Sequence, residues 1–94
     1  MTYKIFPREH AGYFSIIMDY NHAKAVELSD RLDATEGISF DAYHNRKDMD
    51  AYIIIVHITD PALLRESVAY QQDRLYTVCA EVLGINDLPS TDDL

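Results

Sequence analysis

Four histidines and one cysteine are the side chains of this chain best suited to bind a metal ion or act in catalysis. The histidines stand at positions 10, 22, 44 and 57, and the only cysteine is Cys79. No His-x-x-x-His or Cys-x-x-Cys spacing occurs among them, although zinc motifs carry closely spaced pairs of this kind. The sequence therefore predicts no metal site.

The other candidates for chemistry are better explained by structure. Cys79 lies on a helical stripe with no cationic motif beside it, which favours a buried, inert thiol over a nucleophile. His57 comes late in an apolar strand and is expected to be hydrogen-bonded and partly buried. Asp48 and Asp50 lie in a hairpin link, where aspartate commonly satisfies turn backbone. We expect no catalytic residue and no cofactor, so the chain is predicted not to be an enzyme.

Length and composition allow one small cytoplasmic domain. The chain has 94 residues and a formal net charge of −8, from 16 acidic and 8 basic side chains. A single cysteine fits a reducing compartment. The longest apolar run, from 52 to 59, is too short to span a bilayer, and the first eight residues do not resemble a secretory signal.

The acidity argues against a stand-alone nucleic-acid binder, because most of that affinity comes from neutralising phosphates. Three explanations remain open. The chain is an ordinary acidic protein, it is adapted to a salty cytoplasm such as that of haloarchaea, or it mimics nucleic acid. Composition alone does not separate them.

The pattern of apolar residues predicts an α+β domain with a three-stranded antiparallel sheet (β-α-β-β-α) and two helices on one face. Strands are expected at 13–20, 39–44 and 51–59, with a first helix over 22–34 that Asn21 caps. Residues 1–12 are predicted to be an irregular lead-in or an edge strand, 13–85 a single domain, and 86–94 a disordered acidic tail.

The second helix is predicted to run from Pro61, after the capping residue Asp60, to about Leu83. It carries two stripes. We assign the first stripe to the core of the domain: Leu64, Val68, Leu75, Val78 and Val82. The second stripe is more polar, and a protein interface tolerates Gln and Tyr where a core seldom does. We assign it to an interface with a partner: Ala69, Gln72, Tyr76, Cys79 and Leu83.

The strand at 51–59 is apolar on both faces, which predicts that both faces are covered. Two helices can cover only one side of so small a sheet. Ile53 and Ile55 are therefore predicted to lie in a dimer interface.

The segment from Tyr52 to Leu75 resembles the Pcc family, the small subunit of the KEOPS complex. The family has an apolar strand that ends in Thr/Ser-Asp, then a helix with Leu-Arg, a small hydroxyl residue and an apolar residue. The matching residues here are Thr59, Asp60, Leu64, Arg65, Ser67 and Val68. The run 18–25 is similar to the family's first strand and helix start.

The resemblance implies a function. KEOPS adds threonylcarbamoyl to adenosine 37 of tRNA in archaea and eukaryotes, and its Pcc subunit is non-catalytic. The subunit pairs with itself or a paralogue through its sheet, docks its helices on the threonylcarbamoyl-transferase subunit, and helps to hold tRNA. Arg65 is then expected to tie the helix to the sheet or to contact the partner or tRNA, against the alternative of a solvated charge.

This chain departs from the family pattern at two helix positions. Ala69 stands where the family usually has Asn, and Gln72 stands at an apolar position. These departures and the charge of −8 indicate a divergent member, such as the second paralogue, and weaken direct tRNA contact.

Two other classes remain as alternatives. One is a ferredoxin-like module that binds a small regulatory molecule, although no fourth strand is predicted after the last helix. The other is an acidic inhibitor that mimics nucleic acid, although most of its acids alternate with Lys and Arg.

Overall fold

Four antiparallel strands form one sheet in the computed structural model, which describes residues 2–84. The strands are β1 (Tyr3–Pro7), β2 (Tyr13–Asp19), β3 (Ile38–Arg46) and β4 (Ala51–Ile58), and their order across the sheet is β1–β2–β4–β3. The helices are α1 (His22–Ala34), α2 (Pro61–Leu64) and α3 (Val68–Leu83). The fold is α+β, but the expected sheet of three strands with two helices is wrong.

The additional strand is β1, which falls in the segment expected to be a lead-in or an edge strand. It pairs with β2 over its whole length, from Tyr3 opposite Met18 to Pro7 opposite Phe14. Tyr3 and Ile5 are buried while the residues between and after them are exposed, as in a half-buried strand. This alternation covers only a few residues, so the pattern alone could not separate a strand from an irregular lead-in.

The prediction of α1 is confirmed, both in its bounds and in its cap. The Asn21 side chain accepts a hydrogen bond from the Lys24 backbone N–H at 3.1 Å. Ala25, Leu28 and Leu32 are buried at helical spacing. They meet the inward residues of β2 and β4 in the core, together with α3.

The β3–β4 hairpin is also confirmed, and it is longer than predicted. A single 3-10 turn at Lys47–Met49 joins the strands, and Asp50 closes it with a left-handed backbone, φ 53°. The register shifts between Phe40 and Ala42, which leaves Asp41 as a β-bulge. A bulge bends its strand and redirects a side chain.

The long helix predicted from Pro61 to Leu83 is wrong, since the chain breaks between α2 and α3. Ser67 is the N-cap of α3, and its hydroxyl accepts from the Tyr70 backbone N–H at 3.1 Å. Serine is favoured at an N-cap because its oxygen satisfies a free backbone donor there. A turn therefore lies where the spacing of the apolar residues predicted a continuous helix.

Gln71 stabilises this break from the next turn. Its amide nitrogen donates to the backbone carbonyls of Leu63 at 3.1 Å and Glu66 at 3.2 Å, groups at the end of α2 and in the turn after it. The side chain is buried, and its Oε1 has no hydrogen-bond partner within residues 2–84. In the sequence, the break is signalled by Gln71, a polar residue that falls between Val68 and Leu75 in the stripe assigned to the core.

The break also changes the predicted core. Leu75, Val78 and Val82 are buried as expected, but Leu64 is 42% exposed and Val68 is 52% exposed. Placing Leu64 and Val68 in the core was therefore wrong, because the turn after α2 moves them off the buried face of α3.

Two other expectations concern the ends of the chain and the membrane. The tail predicted at 86–94 lies outside the described residues. Over residues 2–84, no helix is long and apolar enough to cross a membrane.

Candidate functional site: the open face of the sheet

One face of the sheet is left without helices, and its centre is apolar. Along β4 the residues alternate between fully buried side chains and partly exposed ones. Ile53 and Ile55 lie on the partly exposed side, and Ile17 of β2 stands opposite Ile53 in the register. Both residues assigned to a dimer interface therefore lie on this open face. That they join two chains stays a prediction.

Two exposed aromatic residues extend the apolar centre toward one end of the sheet. Phe6 of β1 is 42% exposed and Tyr13 of β2 is 37% exposed. Phe6 pairs with Ser15, two residues from Tyr13, so the two rings are diagonal neighbours on adjacent strands. The ammonium of Lys4 lies 5.7 Å from the centre of the Phe6 ring.

His57 is held by two neighbouring strands at the same end of the face. Its ring stacks on Tyr13, with centroids 4.9 Å apart and an interplanar angle of 19°. Its Nδ1 lies 2.8 and 2.9 Å from the two carboxylate oxygens of Asp41, the bulged residue of β3. Because a carboxylate accepts hydrogen bonds, the hydrogen of this contact is on Nδ1, and Nε2 is the ring nitrogen without a bond to Asp41. We call Tyr13, Asp41 and His57 the His57 cluster.

The His57 cluster was not found from the sequence as a unit. His57 was expected to be hydrogen-bonded and partly buried, and its side chain is 26% exposed with a partner in place. Asp41 was not singled out, because strict alternation does not locate a bulge. Only the register shift between Phe40 and Ala42 brings its carboxylate to His57.

Charges on the open face are close to balanced. Strand pairing and side-chain contacts bring Lys4, Arg8 and Arg46 to this face against Asp19 and Asp41, and Arg46 is itself paired with the Asp48 carboxylate at 2.9 and 3.1 Å. Three cations thus meet three carboxylates here, while the whole chain carries −8. Arg8 donates to the Ser15 hydroxyl at 2.8 Å. The excess of acidic groups therefore lies elsewhere on the molecule, and this face is the surface that a second acidic chain could approach with least repulsion.

The stripe assigned to a partner lies mostly against the chain's own edge strand. The Gln72 amide donates to the Ile5 carbonyl, and the Tyr76 hydroxyl accepts from the Ile5 N–H at 3.1 Å. Cys79 and Leu83 are buried in the core. Gln72 and Tyr76 thus occupy the outward backbone groups of β1 at Ile5, which would otherwise be open to pairing with another strand.

A partner could reach only part of that stripe. Ala69 is exposed, and Gln72 and Tyr76 are half-buried. The Gln72 amide nitrogen and the Tyr76 hydroxyl bond to Ile5 inside the domain, so these two polar side chains do not need a partner protein to satisfy those atoms. The assignment to a partner stays a prediction for these three residues, whereas Cys79 and Leu83 are accounted for by the core.

The remaining candidates show no chemical site in the described residues. Burial raises the pKa of the Cys79 thiol to about 12, so it is a poor nucleophile near neutral pH. Within residues 2–84, no group of three or more His, Cys, Asp and Glu side chains could hold a metal ion. Arg65 is exposed at the end of α2, and no hydrogen bond or ion pair of its side chain occurs among these residues.

A recess lies on the side of the molecule that the helices cover. It is a groove of about 340 Å³ between the C-terminal end of α1, the start of β3 and α3. Asp60, Leu63 and Arg74 line it and also line a smaller neighbouring recess beside α2. The groove therefore offers charges of both signs over an apolar side chain.

Comparisons with protein-family models, with curated proteins and with solved structures found no match for this chain.

Proposed function

We propose that this chain is a non-catalytic subunit whose open sheet face binds a second copy of the same chain. The observation that carries the proposal is the apolar centre formed by Ile17, Ile53 and Ile55 on a face that no helix of the described chain covers. Burying such side chains against a partner removes apolar surface from water, the main driving force of association. A twofold dimer would place this patch against its own copy.

Charge supports a second copy as the occupant of this face. Two chains of net charge −8 repel each other over most of their surfaces. The open face is the exception, because Lys4 and Arg8 offset Asp19 and Asp41 there, and Arg46 is paired with Asp48. The exposed rings of Phe6 and Tyr13 add anchors of the type that dominates interface energies.

The complex in which this subunit works is proposed on the resemblance to the Pcc family. On that basis the chain belongs to KEOPS in the cytoplasm, docks on the threonylcarbamoyl-transferase subunit, and supports tRNA modification without catalysing it. Its net charge of −8 favours an indirect or weak contribution to tRNA binding. The alternative outcome of the dimerisation test is that a paralogous subunit, and not a second copy, binds the open face.

Sedimentation equilibrium on two matched variants tests the dimer. Ile53→Lys places a charge at the apolar centre and should raise the dissociation constant of the dimer at least about 30-fold. Val68→Lys adds the same charge to an exposed position of α3 and should leave the constant within about twofold. A monomeric wild-type chain, with or without a paralogue, contradicts the proposal, as does equal weakening by both variants.

Reconstitution tests the KEOPS assignment separately. A purified transferase subunit should bind the wild-type chain, and threonylcarbamoyladenosine formed on tRNA, measured by mass spectrometry, should rise when the chain is added. Arg65→Ala should lower this yield if Arg65 contacts the partner or tRNA. An unchanged yield with the wild-type chain contradicts a KEOPS role even if the chain dimerises.

A second candidate function is the ferredoxin-like module that binds a small molecule. The sheet has a fourth strand at the edge beside β2, although this strand is β1 and comes before β2 in the chain rather than after the last helix. The groove beside Arg74 and Asp60 has charges for a zwitterion such as a free amino acid. Stabilisation of the wild-type chain by one of the twenty amino acids, lost in Arg74→Gln, would favour this candidate over the subunit.

A further inference from the structure

The His57 cluster lies where a proton would change the charge of the proposed interface. Asp41 and His57 are 31% and 26% exposed, so the pair retains contact with water in the isolated chain. A second sheet laid on this face would remove that water. With His57 protonated, the imidazolium and the carboxylate would cancel and the pair would be neutral. With His57 unprotonated, the pair would carry one uncompensated negative charge.

Burial favours the protonated form of this pair. An unpaired charge in a dry interface costs much more than a hydrogen-bonded ion pair whose charges cancel. The stacked Tyr13 ring, 4.9 Å from the imidazole, adds to this preference, since an aromatic face attracts a cation. Covering the face should therefore draw a proton onto Nε2 of His57.

We propose that association through the open sheet face takes up one proton at each His57–Asp41 pair, so that the dimer tightens as the pH falls through the titration range of histidine. This inference rests on the proposed function, because it needs the face to be covered by a second copy. The sign follows from linkage: a state that binds more protons is favoured at lower pH.

In the described part of the chain, no other histidine near His57 forms a pair with a carboxylate that could take up a proton in the same way. From β2 the neighbour is Tyr13, and from β3 it is Asp41. His10, before β2, meets the edge of the Tyr13 ring at 6.1 Å. His44 stands opposite Ile53 elsewhere on the face. Neither His10 nor His44 has a carboxylate contact of its side chain among residues 2–84. The remaining charges of the face are Lys4, Arg8, Asp19 and Arg46, the last of which is paired with Asp48.

The test measures the dimer dissociation constant by sedimentation between pH 6.0 and 8.5 at fixed ionic strength, with circular dichroism to confirm folding at each pH. The wild-type constant should fall at least about tenfold from pH 8.5 to 6.0, and the limit for two linked protons is about 100-fold per pH unit. His57→Gln should lose most of this dependence. His10→Gln and His44→Gln should retain it.

Asp41→Asn provides the sharpest variant because it should reverse the slope. The Asn amide oxygen can still accept from Nδ1–H, but the carboxylate charge is gone. A protonated His57 would then be the uncompensated charge, so this dimer should weaken as the pH falls.

The outcomes separate the two proposals. A wild-type dimer whose constant does not change with pH, or Asp41→Asn with the wild-type slope, overturns the proton linkage and leaves the dimer in place. A chain that stays monomeric across the whole pH range overturns the proposed function, and the linkage with it.

Discussion

The hydroxyl of Tyr76 accepts a hydrogen bond from the backbone N–H of Ile5 at 3.1 Å, joining the last helix to the first strand across 71 residues of sequence. Gln72, one turn earlier, bonds to the carbonyl of the same residue. A side chain of α3 thus meets each outward-facing backbone group of Ile5. The edge of β1 is therefore blocked at Ile5 against pairing with another strand.

Tyr76→Phe should destabilise the isolated chain by about 1–3 kcal/mol, because it leaves the Ile5 N–H without its acceptor in a partly buried place. Urea unfolding measures this loss, and amide exchange of Ile5 should become faster. Tyr70→Phe is the matched control, since that ring is exposed on the same helix. Equal stability of Tyr76→Phe and Tyr70→Phe would show that the bond to Ile5 contributes nothing.

Leu75→Ala should cost about 2–5 kcal/mol of unfolding free energy, since Leu75 is fully buried between α3 and the sheet. Leu64→Ala should cost less than about 1 kcal/mol, because the turn after α2 leaves Leu64 at the surface. Urea unfolding of the two variants distinguishes the observed break from one continuous helix. Similar large losses in both variants would favour the continuous helix with Leu64 in the core.

Ser67→Ala should cost about 0.5–2 kcal/mol, because Ser67 caps the first turn of α3. Ser67→Asp is the control that keeps an acceptor at the cap and should retain most of the stability. Thermal unfolding measures both. If Ser67→Ala were as stable as wild type and Ser67→Asp less so, the residue would not be acting as a cap.

The sequence predicted those elements whose signals are local. Asn21 and the spacing of Ala25, Leu28 and Leu32 located α1, and the alternation of 52–58 located β4 and the face of Ile53 and Ile55. These signals lie within the element itself, so no knowledge of the rest of the chain was needed.

What the sequence did not predict depends on distant contacts. The bonds of Gln72 and Tyr76 to Ile5 were not predicted, because Ile5 is about 70 residues away in a strand that was itself uncertain. Asp41 meets His57 only through a bulge. Polar side chains on a helix stripe have the same pattern whether they meet a partner protein or the edge of their own sheet, so periodicity could not separate the two.

The alkaline stability of the folded chain depends in part on the buried thiol of Cys79. Burial raises the pKa of Cys79 from its ordinary value of 9.0 to about 12 in the folded state. Between these values the unfolded chain releases a proton that the folded chain keeps, so stability is full below about pH 9 and is lost as the pH rises toward 12. The limiting slope from this thiol is about 1.4 kcal/mol per pH unit.

Urea unfolding of wild type and Cys79→Ala between pH 8 and 11 isolates the contribution of this thiol. Cys79→Ala should lose less stability over that range, whatever its stability at pH 8. A residual decline is expected in both proteins, since burial also raises the pKa of Tyr3 above 10.0. As a second readout, iodoacetamide should label wild-type Cys79 at pH 8 only after urea unfolds the chain. Rapid labelling of the folded protein, or equal slopes for the two proteins, would contradict a thiol sealed between α3 and the sheet.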